Sequence, residues 1–252
     1  MAKTDDMIFS TDGGTGDVPV VIFHALAGNS RQWKNQLADL RKTRRAVALD
    51  LPGHGHSAGV NTAGMDIEML ISRLSDTLES LSLEKFILAG HSMGAAIASA
   101  FSARYPEKVA GLLLLDPAGD STRMPKDQVS QYLTLLESEA YHTFIQEYWN
   151  QLLEGSTSET RTQILADLRA TGKATVLEYF KMLFVLNPVP YIESYTGPKQ
   201  IVYTDCNNTP ISIHNICPDL PSKHVTGTGH WLQLDKHEET KAIFSDFIGK
   251  IR

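Results

Sequence analysis

A serine between two glycines, Gly90-His91-Ser92-Met93-Gly94, follows the apolar run Phe86-Ile87-Leu88-Ala89 and precedes Ala95, Ala96, Ala98 and Ala100. A strand that turns sharply into a small-residue helix would carry the Ser92 hydroxyl at the tip of the bend, beside the positive end of that helix. The flanking glycines remove side chains that would collide across so tight a turn. A serine hydroxyl is a weak nucleophile until a base takes its proton. His230 is the candidate base, in the glycine-rich stretch Gly227-Thr228-Gly229-His230-Trp231 between a strand pattern and the C-terminal helix pattern. These types in this order point to attack on a carbonyl, with the backbone N–H of Met93 aimed at the oxyanion.

The elements that must position these groups are legible as periodicity. Short runs that are apolar on both faces, at 18–23, 46–49, 86–88, 112–115 and 200–204, alternate with amphipathic helical patterns at 30–39, 65–81, 93–105 and 237–250. That alternation predicts an α/β fold of three layers, with a mostly parallel sheet covered by helices on each side. Residues 119–194 break the rhythm with helical patterns over 128–153 and 160–186, and they read as an inserted helical cap (lid). The core then consists of residues 1–118 and 195–252. Of the insertion's aromatics, Tyr132, Tyr141, Phe144, Tyr148, Trp149, Tyr179, Phe180 and Phe184, most are expected to pack internally, with a minority facing a cleft.

Composition narrows the classes of function. The chain has 252 residues, enough for one large domain with an insertion, and 23 basic against 29 acidic residues give a net charge of −6, which opposes a phosphate-backbone partner. The basic cluster Arg41, Lys42, Arg44 and Arg45 reads as a solvated corner. No apolar stretch approaches a membrane span. Lys3 followed by Asp5 and Asp6 does not read as a secretory leader, and the two cysteines, Cys206 and Cys217, suit a reducing cytoplasm. No metal site is expected: His54 and His56 form an HxH pair without a completing donor, and they read, with His142, His214, His224 and His237, as loop or surface histidines.

Four motifs in order carry a resemblance. Phe23-His24-Ala25-Leu26-Ala27-Gly28, Asp50-Leu51-Pro52-Gly53-His54-Gly55-His56-Ser57, the Ser92 turn and Gly229-His230 together resemble the α/β-hydrolase fold superfamily, in its cap-bearing serine esterase, lactonase and haloperoxidase-like branch. The resemblance implies a catalytic triad and an oxyanion hole, with the N–H of Leu26 as second donor beside Met93. It implies loop-holding roles for His24 and Asp50, and a packing role beneath the turn for His91. Ala25 stands where the family usually has glycine.

The acid that orients His230 stays open. In relatives it commonly falls at a position corresponding to 207, which here is Asn, and an amide offers no charge to an imidazolium. Asp116, at the end of Gly111-Leu112-Leu113-Leu114-Leu115-Asp116-Pro117, is favoured over Asp205, two residues before Asn207, with Asp120 a lesser candidate. The expected activity is hydrolysis of small carboxylic esters or lactones through an acyl-enzyme, without cofactor or metal. Carbon–carbon bond hydrolysis, perhydrolysis and slow-turnover, receptor-like ligand binding are the rivals on the same fold. A small-molecule substrate is expected, with neither nucleic acid nor membrane as partner; sequence leaves the oligomeric state open.

Overall fold

The computed structural model describes residues 8–251, so Lys3, Asp5 and Asp6, which bear on the expected absence of a leader, lie outside the described residues. Strands β1 (Ser10–Gly13) and β2 (Asp17–Phe23) lead into α1 (Lys34–Leu40), β3 (Arg44–Leu49), α2 (Ile67–Ser80), β4 (Phe86–His91), α3 (Met93–Arg104) and β5 (Val109–Leu115). Five helices follow: α4 (Lys126–Glu137), α5 (Tyr141–Leu152), α6 (Ser158–Ala170), α7 (Lys173–Val185) and α8 (Val189–Ser194). The sheet then resumes with β6 (Lys199–Thr204), α9 (Ile213–Ile216), β7 (Ser222–Val225), α10 (Leu232–Asp235) and α11 (His237–Ile248).

The strands pair in the order β1-β3-β2-β4-β5-β6-β7, all parallel except β1 against β3. Alternation sorts the strand side chains onto two faces. Val21, Phe23, Val47, Leu49, Leu88, Leu112 and Leu114 pack under α2 and α3, whereas Val20, Ile22, Ala46, Ala48, Ile87, Ala89, Leu113 and Leu115 pack against α1 and α11. The result is a three-layer α/β fold. Chain order reverses between β2 and β4, and ligands of open parallel sheets bind at the carboxyl ends of strands beside such a reversal. Leu26 follows one of those strands and Ser92 the other.

Local chemistry explains the helices that matter here. Asp66 starts α2 by accepting the Met69 N–H at 2.8 Å, and Leu70, Ile71, Leu74 and Leu78 then bury one stripe. All of α3 but its last two residues is buried, which small side chains permit. A Cβ at Gly94 would stand 2.4 Å from the Phe23 carbonyl oxygen, and one at Gly90 2.3 Å from that of Gly94, so neither position admits a side chain.

Two expectations need correction, and one strand was not foreseen. The helical patterns over 128–153 and 160–186 are each two helices, broken where Ser138 Oγ accepts the Ala140 N–H at 3.1 Å and where Thr171 turns extended before Gly172. Strand β1 is polar and only partly buried, so its sequence gives no apolar run to find. In the basic cluster Lys42 is exposed as expected, but the arginines are not solvated: Arg41 donates to the Thr11 and Ala46 carbonyls at 2.9 and 3.1 Å, Arg44 to the Val18 carbonyl at 3.1 Å, and Arg45 pairs with Asp12 at 2.6 Å. Arg41 and Arg45 staple the β1 edge, and Arg44 holds the start of β2. No described helix is long and apolar enough to cross a membrane.

Candidate active site

Ser92 sits between β4 and α3 with φ 54° and ψ −117°, a left-handed conformation that costs a non-glycine residue about 1–3 kcal/mol. Its surroundings hold it there. The Ser92 N–H donates to the Leu115 carbonyl at 3.0 Å, and its own carbonyl accepts from Ala95 and Ala118 at 3.0 and 3.1 Å. With Gly90 and Gly94 letting strand and helix touch, the turn is fixed on both sides.

Asp116 shares the unusual backbone, with φ 41° just past the end of β5. It accepts from the Thr204 N–H and hydroxyl, both at 2.8 Å, and its Oδ2 lies 2.5 Å from His230 Nδ1. The carboxylate is fully buried, and the imidazole nearly so. Burial alone would push His230 toward its neutral form; the charge and hydrogen bond of Asp116, with a smaller contribution from Cys206, prevail and raise its pKa above the ordinary 6.5. The His230 loop is tied at two further points. Its N–H donates to the Leu152 carbonyl at the end of α5 at 2.9 Å, and its carbonyl accepts from His91 Nε2 at 2.9 Å. Gln233 donates to His91 Nδ1 at 3.3 Å, while burial, and next the nearby His230, hold the His91 pKa well below the ordinary value. His91 is therefore a neutral brace beneath the turn.

The amides of Leu26 and Met93 have no protein acceptor among the described residues. Both residues line one cleft with Ser92 and His230. The loop that carries Leu26 is pinned by histidines: His24 donates from Nδ1 to the Ala25 carbonyl at 2.7 Å and accepts the Leu51 N–H at 2.9 Å. His54 Nε2 accepts the Ala27 N–H at 3.1 Å, its Nδ1 donating to the Pro52 carbonyl at 3.0 Å. His54 is completely buried and its pKa is pushed down to about 3, first by burial and then by His24, which corrects its reading as a solvated loop histidine. Asp50 ties the two loops through the Ser30 and His56 amides, at 2.6 and 2.8 Å.

The cleft measures about 570 Å³. Its walls include Tyr132, Tyr148, Trp149, Phe180 and Phe184 of the helical insertion, with Arg123, Cys206 and Asn207 from segments that follow β5 and β6. A buried base on a carboxylate, a serine on a strained turn and two free amides in one cleft are the parts of nucleophilic acyl chemistry.

A family model described as alpha/beta hydrolase fold matches residues 18–148, just over half the chain. The chain belongs to the alpha/beta hydrolase family. It is 34% identical over 123 residues to a putative non-heme haloperoxidase of Mycobacterium phage D29, covering 48% of this chain and 44% of that protein. The chain thus spans under half the length of such curated relatives. Among solved structures, a thermophilic esterase from Thermogutta terrifontis superposes with a TM-score of 0.84 at 21% identity, covering 97% of this chain and 93% of that one. The enol-lactonase from Burkholderia xenovorans LB400 gives 0.80 at 17% identity, covering 96% of each. Likeness at such identity shows the fold.

Within this alpha/beta hydrolase, the other acidic candidates stand elsewhere. Asp205 is exposed and pairs with His224 Nε2 at 2.7 Å, Asp120 pairs with Arg123 Nε at 3.0 Å, and Asn207 donates to the Pro117 carbonyl at 2.7 Å. Only Asp116 of these reaches His230. Sequence reasoning passed over Cys206, whose Sγ lies 3.0 Å from Thr204 Oγ and 3.9 Å from Asp116 Oδ2; its place one residue before the expected acid position was the available signal. It misread His54, for which the loop setting gave no hint of burial.

Proposed function

We propose that this alpha/beta hydrolase is a serine hydrolase of small carboxylic esters or lactones. The single observation that carries the reading is the buried His230–Asp116 pair, 2.5 Å apart, opening onto the cleft that Ser92 lines. Ser92 Oγ attacks the substrate carbonyl carbon while His230 Nε2 takes the hydroxyl proton, and Asp116 stabilises the imidazolium. The negative oxygen accepts from the Leu26 and Met93 amides, neither of which has a protein acceptor to give up among the described residues. Collapse expels the alcohol, protonated by His230, and leaves Ser92 acylated. Water, deprotonated by the same imidazole, then releases the acid. A lactone follows the same course with the alcohol still attached to the acid.

Among the described residues no hydrogen bond joins Ser92 to His230, so the first proton transfer needs the two to close up as substrate binds, a common adjustment in hydrolases. The insertion over residues 119–194 serves as the cap, its α5 and α7 aromatics shaping the acyl or alcohol pocket. The haloperoxidase relative supports a second reading in which peroxide replaces water in deacylation and the product is a peracid. The test is turnover of p-nitrophenyl acetate and butyrate by wild type and Ser92→Ala, with and without peroxide. Sustained turnover abolished in the variant is expected. Stoichiometric acylation that stalls would instead favour receptor-like binding.

A further inference from the structure

The cleft has two unlike walls. Tyr148, Trp149, Phe180 and Phe184 make one of them apolar. The other is formed by the segments after β5 and β6, which are joined where the Asp120 N–H donates to the Ile211 carbonyl at 2.8 Å. Arg123 stands on this second wall. Apart from His230 it is the only basic residue lining the cleft among the described residues, and no carboxylate side chain lines it.

The guanidinium is held by one edge. Its Nε donates to Asp120 Oδ2 at 3.0 Å, and Asp120, 1% exposed, is itself fixed by the Thr122 N–H at 3.1 Å and the Thr122 hydroxyl at 2.5 Å. The two Nη groups have no protein partner among the described residues, and the side chain is about half exposed. The buried carboxylate fixes the half-exposed guanidinium of a residue that lines the cleft. It restrains the long side chain in advance of binding, and the planar fork of N–H groups matches a carboxylate.

We infer that Arg123 is a specificity-determining residue that reads a carboxylate on the substrate, so that the preferred ester or lactone carries an acid group remote from its reacting carbonyl. The inference rests on the hydrolase reading, since it assigns the orientation of a substrate whose carbonyl meets Ser92. The apolar wall takes the intervening carbon chain, and the paired charges compensate one another as the substrate leaves water.

The test compares p-nitrophenyl hydrogen adipate with p-nitrophenyl hexanoate, acyl chains of equal length that end in a carboxylate or a methyl group. In wild type the ratio of their kcat/KM values favours the adipate. In Arg123→Gln that ratio falls on the order of 10- to 100-fold, the loss expected for one charge-assisted hydrogen bond, and the change lies in KM. Arg123→Lys recovers part of it. Because the readout is a ratio, a variant that folds poorly still reports. A ratio that moves less than about twofold overturns the inference. Calorimetric titration of adipate into Ser92→Ala separates it from the hydrolase reading. If neither ester is turned over, that reading fails, and the Arg123 site stands or falls on whether Arg123→Gln weakens adipate binding at least tenfold.

Discussion

His230 Nδ1 and Asp116 Oδ2 lie 2.5 Å apart although 114 residues separate them in the chain. The two strand ends that would present an acid, those of β5 and β6, are neighbours in the sheet, and Thr204 at the end of β6 gives Asp116 two hydrogen bonds. One strand end therefore supplies the carboxylate and the other holds it in place.

Asp116→Asn leaves the shape but removes the charge that stabilises imidazolium, and kcat is expected to fall by about 10⁴-fold, the loss typical of turning the acid of a Ser-His-Asp triad into an amide. Asp205→Asn, which touches only an exposed His224 pair, changes kcat by less than about threefold. Steady-state kinetics on one activated ester checks both. Equal losses in the two variants would be incompatible with the arrangement described.

The acid limb of the pH profile follows from the raised His230 pKa. A base must be neutral to accept the Ser92 proton, and a group whose pKa is raised becomes neutral only at higher pH. Activity is thus expected to fall as pH drops through a value above 6.5, and Asp116→Asn, which removes the chief cause of the rise, moves that limb down. A limb that stays in place between the two proteins would contradict the account.

Gly94→Ala puts a methyl group 2.4 Å from a backbone oxygen that cannot swing aside. Overpacking of this kind costs about 1–3 kcal/mol or more, corresponding to a fall in melting temperature of roughly 2–12 °C for a domain of this size. Thermal melting followed by circular dichroism measures it, and a variant as stable as wild type would mean that the close approach of α3 to β2 is absent.

His54→Ala strands the buried Ala27 N–H and opens a space beneath the Leu26 loop. An unsatisfied buried donor costs about 1–3 kcal/mol before any cavity term. Urea unfolding is expected to show that loss. Turnover should fall as well, because the loop that presents the Leu26 amide loses its support. Unchanged stability would remove His54 from this role.

How much of this was legible in the sequence depends on the range of each interaction. The Ser92 turn is local: strand, glycines and small-residue helix lie within fifteen residues, so their pattern predicts the bend that the φ of Ser92 then displays. The parallel sheet was legible because strands covered on both faces are apolar throughout, and β1 was not, because an edge strand with polar sequence lacks that mark. The choice between Asp116 and Asp205 was undecidable from chain order, since it depends on which side chain turns toward a residue in another part of the chain. His54 misled for the same reason: its partner, the Ala27 amide, is 27 residues away and exists only once two loops meet. Arg41, Arg44 and Arg45 read as solvated because the backbone carbonyls they bind, on β1, on β2 and just past α2, come alongside them only once the chain has folded.

The nucleophile is tested most directly by trapping it. Wild type, Ser92→Ala and His230→Ala are each treated with a fluorophosphonate, and intact mass and peptide mass spectra are recorded. A single adduct on Ser92 in wild type, absent from Ser92→Ala and formed far more slowly in His230→Ala, is the predicted result. An unlabelled Ser92 in the folded protein, or labelling at the same rate without His230, would contradict it.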